Sequence, residues 1–329
     1  MSSNMENYSE RFDVKILDFC KKTKLIVIIT LSLVVLAILS TFTGVDIALE
    51  FKGGTIITYG YQGDIVETDV EAELSALVGS GVRAQTGESL SGDMKTMTVS
   101  FTSTEGLTAE LQAEVTDTIQ GMYPDSALEV LDSNDVDARS GGEFFTKCIV
   151  AALFAAIVLI LFIAFRFRLI SGWSAGVCAI AGLLTTLVIT YGGVVLCGFE
   201  IDSNFMAVIL TLLGYAVNDT IVIYDRIREN QERCDGMTIE ELVNISNSQS
   251  LRRTIRTSVT TVFAMITVSV VAGIMGVTSI LSFSIPMGIG IVVGTFNSIC
   301  FVPTIWVLWQ KKRGHGIVRY VKPKKVSEV

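Results

Sequence analysis

Residues Cys148 to Phe165 read CIVAALFAAIVLILFIAF, eighteen positions without a charge between Lys147 and Arg166. About 30 Å of hydrocarbon needs about 20 residues at 1.5 Å each, so this run has the length and apolarity of a membrane-crossing helix. It is not isolated. No charged residue falls between Lys24 and Asp46 or between Arg168 and Glu200, and 54 uncharged residues separate Arg256 from Lys311. Across all 329 residues half are apolar and only 18% are charged. Soluble domains average about a quarter charged, and the mean hydropathy is +0.56. A soluble enzyme is excluded. The single His315 and the lack of Cys-x-x-Cys or Gly-x-x-x-x-Gly-Lys spacing leave no zinc site and no P-loop, so no metal, cofactor or catalytic residue is expected.

Working outward, Leu25 to Thr43 follows Lys21, Lys22 and Lys24 like a secretory leader. It is longer than the 7–15 residues of a signal core and ends on a poor cleavage site, so it reads as an uncleaved first span. The second span is Cys148 to Phe165, the third lies within Leu169 to Val195, and the fourth runs from Ser203 to about Tyr224. The 54-residue run must fold back once, and Gly273, Gly276 and Ser279 to Pro286 offer the hairpin, which makes six spans. The expected division is an N-terminal segment 1–24, a first span 25–43, an outer domain 44–144, a five-helix region 145–310 with a loop at about 225–252, and a basic tail 311–329. With both termini inside, twenty Lys and Arg lie inside and five outside (Lys52, Arg83, Lys95, Arg139, Lys147). The positive-inside rule therefore makes both ends cytoplasmic.

Val45 to Glu143 is the one segment large enough for a folded hydrophilic domain, with 19 acidic and four basic residues. None of the six cysteines (Cys20, Cys148, Cys178, Cys197, Cys234, Cys300) falls in it, so they read as packing residues and not as disulfides. Gly54 to Tyr59 is β-rich, and Glu67 to Val78 carries Val70, Leu74, Leu77 and Val78 at helical spacing. Val82 to Gln85 and Met94 to Phe101 read as strands. Thr108 caps a second helix with Leu111, Val115, Ile119 and Met122 on one face, and Ala127 to Leu131 closes as a strand. The order βαββαβ predicts a small ferredoxin-like α+β domain between the first and second spans. Its acidic surface reads as a solvated face or as a dock for an extracytoplasmic polypeptide.

Asp219 stands inside the fourth span, flanked by Asn218 and Thr220. A mid-membrane Asp costs about 2.5–3.5 kcal/mol on insertion scales, so such a residue faces a cavity or a partner and has a function by default. Asp225 and Arg226 lie about 9 Å further along at 1.5 Å per residue, at headgroup level, where ion pairing suffices to explain them. Arg252, Arg253 and Arg256 open the antiparallel fifth span and offer Asp219 a cation. A carboxylate that alternates between protonation and pairing with Arg makes a proton relay, whereas Arg stays charged and can only bias it.

The run Gly-Tyr-x-x-Asn-Asp-Thr-Ile-Val-x-x-Asp-Arg-Ile-Arg-Glu-Asn, from Gly214 to Asn230, resembles the signature of the SecF family of Sec protein-export accessory subunits. Glu50-Phe51-x-Gly53-Gly54-Thr55 after the first span is similar to that family's Asp-Phe-x-Gly-Gly, and Arg253-Thr254 with Thr257-Ser258 matches its fifth span. The resemblance covers almost the whole chain. It implies a six-span α-helical subunit of a bacterial cytoplasmic membrane. That subunit pairs with SecD into a twelve-helix unit of the resistance-nodulation-division superfamily. Such pairs use a proton or sodium motive force to complete export of unfolded polypeptide through the SecYEG channel. Asp219 matches the family's proton-pathway carboxylate and Arg253 its associated arginine, with Arg256 a further basic position. One departure is Thr185-Thr186, where many members carry His-Asp; another is Glu50 for Asp.

Two other readings stand beside this one: a small-molecule exporter half of the same superfamily, and a membrane scaffold that steadies the translocon. An outer domain of about 100 residues is small for an exporter, and Asp219 argues against a pure scaffold. The tail (Lys311, Lys312, Arg313, Arg319, Lys322, Lys324, Lys325) is explained by anionic lipid and topology, with no specific nucleic acid required.

Overall fold

The computed structural model describes residues 16–79, 81–88, 95–102, 106–136, 138–167, 172–233, 236–275 and 277–314. Arg11, Lys15, Met94, Arg168, Cys234, Gly276, His315 and the tail residues Arg319, Lys322, Lys324 and Lys325 lie outside the described residues. Six helical stretches among them are long and apolar enough to cross a membrane: Cys20–Ser40, Gly142–Arg166, Gly172–Leu196, Ser203–Glu232, Ile239–Ile274 and Ser279–Lys312. The helices are α1 (Thr23–Ser40), α5 (Ala138–Arg166), α6 (Gly172–Leu196), α7 (Ser203–Arg233) and α8 (Ile239–Ile274). The sixth span joins α9 (Thr278–Phe296) to α10 (Val302–Lys312) through a π-helical turn, Asn297–Phe301.

Between α1 and α5 stands the α+β domain: α2 (Leu49–Lys52), β1 (Gly54–Tyr61), α3 (Glu67–Val78), β2 (Val82–Glu88), β3 (Lys95–Thr102), α4 (Ala109–Met122) and β4 (Glu129–Val136). Its strands run antiparallel in the order β2-β3-β1-β4, the ferredoxin-like arrangement expected from the element order. Alternation puts Ile57 and Tyr59 of β1 with Met97, Val99 and Phe101 of β3 on one face. Val70 and Leu74 of α3 and Val115 and Ile119 of α4 close over them. The Thr108 hydroxyl accepts from Leu111 N at 3.4 Å, so the expected cap is present.

The last strand is Glu129–Val136 and not Ala127 to Leu131. Ala127 sits at φ 45° after the turn Pro124–Ser126, outside the sheet. Asp132, Asn134 and Asp135 hide the strand from a hydropathy reading, yet all three pair with β1. Thr55 Oγ1 donates to Asp135 Oδ1 at 2.6 Å.

In lipid, helices associate by close packing and not by exclusion of water. Small residues make the tight crossings. A Cβ on Gly192 would lie 2.3 Å from that of Ala37, so α6 meets α1 at backbone range. The sixth span is the most enclosed, while α5 and α8 are the most exposed.

The expected loop at about 225–252 is mostly helix, since α7 continues to Arg233 and α8 starts at Ile239 behind a Thr238–Glu241 capping box. Several of its polar residues are bonded inside the bundle. Asn230 Nδ2 donates to Ser246 Oγ and Gln249 Oε1, both at 2.9 Å, and Asn244 Oδ1 accepts from Phe19 N at 3.0 Å. The hairpin between the last two spans is also shorter than expected: α8 ends at Ile274 and α9 begins at Thr278. Ser279 to Pro286 is helical, with Pro286 inside α9. Neighbouring helices and Ser side chains make an internal Pro tolerable in a membrane.

Candidate functional site

Asp219 lies 16 residues from Ser203 and 14 from Arg233 along α7, about 24 and 21 Å from the two ends. One turn earlier, Tyr215 donates its hydroxyl to Thr261 Oγ1 of α8 at 3.3 Å, which ties this part of α7 to α8. Asp219 is 4% exposed, and its Oδ2 is buried without a hydrogen-bond partner. Thr254 Oγ1 of α8 is likewise buried and unpartnered. Arg253 of α8 forms no ion pair with Asp219 among the described residues.

The four residues expected to form the ion pathway are therefore not joined by direct bonds. Asn218 is exposed on α7, and Arg253 and Arg256 are exposed on α8. Thr220 turns the other way and donates to Ser298 Oγ of the π turn at 3.0 Å. Asp225 and Arg226 are ion-paired. Asp225 Oδ1 accepts from Arg166 Nη2 at 3.1 Å and Arg228 Nη2 at 2.9 Å, and Arg226 pairs with Glu229 at 2.6 Å.

The π turn brings in residues that sequence reasoning missed. Asn297, 1% exposed, donates from Nδ2 to Thr186 Oγ1 at 2.8 Å, Thr185 Oγ1 at 3.2 Å and Gly182 O at 3.3 Å. Its Oδ1 is buried without a partner. Thr186, Thr220, Asn297 and Ser298 face a closed void of about 10 Å³ between α6, α7 and the sixth span. Thr185-Thr186 thus holds a neutral hydrogen-bonded contact instead of a second charge. A lone amide in the longest uncharged run was the available signal. One extra residue per turn is a frequent mark of functional sites in helices.

The Glu50–Gly54 motif lies where the α+β domain meets α7. Glu50 Oε2 accepts from Ser203 N at 3.2 Å, at the positive end of the helix that carries Asp219. Phe51 stacks on Phe144 of α5 with centroids 6.0 Å apart. Gly53 and Gly54 take φ of 81° and 147°, and a Cβ on Gly54 would sit 1.9 Å from Phe101 O. Nearby, Ala48 N donates to Ile201 O at 3.0 Å, and Arg83 of β2 pairs with Glu200 at 2.8 Å. The α+β domain is thereby tied to the start of α7.

Fold and site define a multi-pass α-helical membrane protein with one ferredoxin-like domain and a buried carboxylate at mid-span. Residues 114–312 match the model of the protein-export membrane protein SecD/SecF C-terminal family. The protein translocase subunit SecF of Thermobaculum terrenum is 31% identical over 294 residues, covering 85% of this chain and 89% of that protein. SecF of Desulfurispirillum indicum is 32% identical over 304 residues, covering 90% and 91%. The crystal structure of SecDF from Thermus thermophilus, described as a translocon-associated membrane protein, superposes with a TM-score of 0.75 at 26% identity. It is matched over 93% of this chain but only 41% of its own, so this chain spans about two-fifths of the SecDF polypeptide. The chain belongs to the SecF family of protein translocase subunits.

Proposed function

We propose that this protein is an accessory subunit of the Sec translocation machinery that pairs with SecD and uses an ion gradient to drive late stages of polypeptide export. The observation that carries the reading is the Asp219 carboxylate, buried mid-span with one oxygen unpartnered. Such a group is expensive to hold unless it works. Asn218, Arg253 and Arg256 lie exposed on the adjoining surfaces of α7 and α8. Lipid is a poor solvent for them, which supports a SecD helix as their cover. In this reading Asp219 takes and releases the proton, with sodium as the alternative coupling ion, while Arg253 biases its charge. The ties from Glu50 and Arg83 pass a shift of α7 to the α+β domain, which acts on unfolded polypeptide leaving the SecYEG channel. The protein carries out no chemical conversion.

The orientation belongs to the same reading. Both termini face the cytoplasm of a bacterial cell and the α+β domain faces outward, with anionic lipid at the basic tail. An impermeant thiol reagent should label a cysteine placed at Asp93 from outside intact cells; labelling only after membrane disruption inverts the map.

One proton crossing about 100 mV delivers about 2.3 kcal/mol, enough to bias a two-state element and too little to make one step irreversible. Repeated cycles are therefore required. In vesicles loaded with a stalled export intermediate and containing SecD, collapse of the gradient should slow late release with ATP present. Release indifferent to the gradient would replace this reading with that of a scaffold.

A further inference from the structure

Arg313 ends the sixth span on the side opposite the α+β domain. It forms no ion pair among the described residues, and its guanidinium carbon lies 5.4 Å from the centre of the Trp309 ring. Two grooves open beside it. One, of about 760 Å³, lies against the end of α5 and the start of α6, walled by Leu161, Phe165 and Trp173. The other, of about 430 Å³, follows α10 past Leu308 and Trp309, with Lys312 on its lining. Arg313 lines both. Trp173 is 65% exposed and Leu161 and Leu308 about half, so these walls face out of the bundle. Among the described residues neither lining contains an acidic residue.

We propose that the two grooves and Arg313 form a site for one anionic diacyl phospholipid, with its phosphate on the guanidinium and one acyl chain in each groove. The planar guanidinium matches a phosphate through two parallel N–H bonds, and the Trp309 face steadies the cation. Lys312 adds a second positive charge that favours an anionic headgroup over a zwitterionic one. Tryptophans at the ends of spans sit at headgroup level, where this ligand presents both a charge and hydrocarbon. Among the described residues the grooves offer no carboxylate to receive a basic protein segment, which disfavours a polypeptide occupant.

The chain has three tryptophans, and Trp306 is 1% exposed, so quenching by brominated lipid reports mainly on Trp173 and Trp309. The full protein, reconstituted in bilayers containing a minor fraction of brominated phosphatidylglycerol, should be quenched at more than about fivefold lower mole fraction than with brominated phosphatidylcholine. Fivefold is the weight of about 1 kcal/mol for one basic residue near an anionic surface. Arg313→Gln should reduce that preference about fivefold, to what Lys312 alone supports, Arg313→Lys should retain more of it, and Lys22→Gln, on the same side but lining neither groove, should leave it unchanged. Equal quenching by the two lipids, or equal loss from Lys22→Gln, would reduce the site to ordinary boundary lipid and overturn the proposal. Single-chain lysophosphatidylglycerol competing as well as the diacyl lipid would overturn the two-groove assignment. Absence of quenching by either lipid would mean that protein covers the grooves.

Discussion

Replacing Gly54 by Ala tests how the sheet of the α+β domain is held together. Gly54 has φ 147°, a conformation that costs a residue with a Cβ about 1–3 kcal/mol. The added carbon would also lie 1.9 Å from Phe101 O and 3.0 Å from Leu49 Cδ1, so the start of β1 must separate from β3. The next residue, Thr55, is fully buried and holds two bonds: its hydroxyl donates to Asp135 Oδ1 at 2.6 Å and accepts from Leu107 N at 2.8 Å. Loosening each costs about 1 kcal/mol. The total, about 3–5 kcal/mol, is a large share of the 5–15 kcal/mol that holds a typical domain folded. Gly63→Ala is the control, because φ there is 92° but nothing lies within 4 Å of the new carbon. Hydrogen exchange on the reconstituted protein should show Gly54→Ala exposing amides of β1, β3 and β4 by two or more orders of magnitude, with the Gly63 variant less affected. If the two variants exchange alike, the close approach to Phe101 does not hold the sheet together and the packing argument fails.

Asn297→Ala removes the donor shared by Thr185, Thr186 and Gly182, and should cost about 1–3 kcal/mol in thermal unfolding of the purified protein. Arg166→Gln breaks a half-exposed pair with Asp225 and should change stability by less than about 1 kcal/mol by the same measure. Lys95 beside Asp64 holds that carboxyl below the usual range, so the pair stabilises the folded domain above that range and ceases to do so as pH falls through the lowered value. Asp64→Asn should accordingly lower the neutral plateau slightly and flatten the acid limb, leaving stability below the lowered value unchanged. Arg253→Lys should keep partial export and Arg253→Met lose most of it, while Arg252→Met is nearly silent; equal effects at the two arginines would mean that only boundary charge matters.

The spans could be read from sequence because uncharged length is a one-dimensional property, and Asp219 stood out as a charge inside one. The βαββαβ order was visible wherever apolar residues alternate, as in Met97, Val99 and Phe101. Polar residues satisfied by distant partners were not visible. Asn230, Ser246 and Gln249 look like loop by composition, yet Asn230 at the end of α7 bonds to both Ser246 and Gln249 in the helical start of α8. The strand through Asp132 to Asp135 was shortened for the same reason. Glu50 drew attention as a motif residue, but its bond to Ser203, 153 positions away, exists only in three dimensions. The π turn at Asn297 packs against Thr186 and Thr220 and has no signature in hydropathy. Of the proposed ion residues, sequence could place Asp219 and Arg253 on adjoining helices. It could not tell that Thr220 would turn toward the sixth span and Asn218 outward.

Asp219→Asn keeps the volume and hydrogen-bonding capacity of the side chain while removing its titratable charge. The most direct measurement is the rate of late release in vesicles carrying this variant with SecD and a stalled export intermediate, with and without an imposed gradient. The variant should assemble normally and release slowly in both conditions, at the rate the unaltered protein shows after its gradient is collapsed. Release that remains fast and accelerates when the gradient is imposed would show that Asp219 is structural and that the ion passes elsewhere.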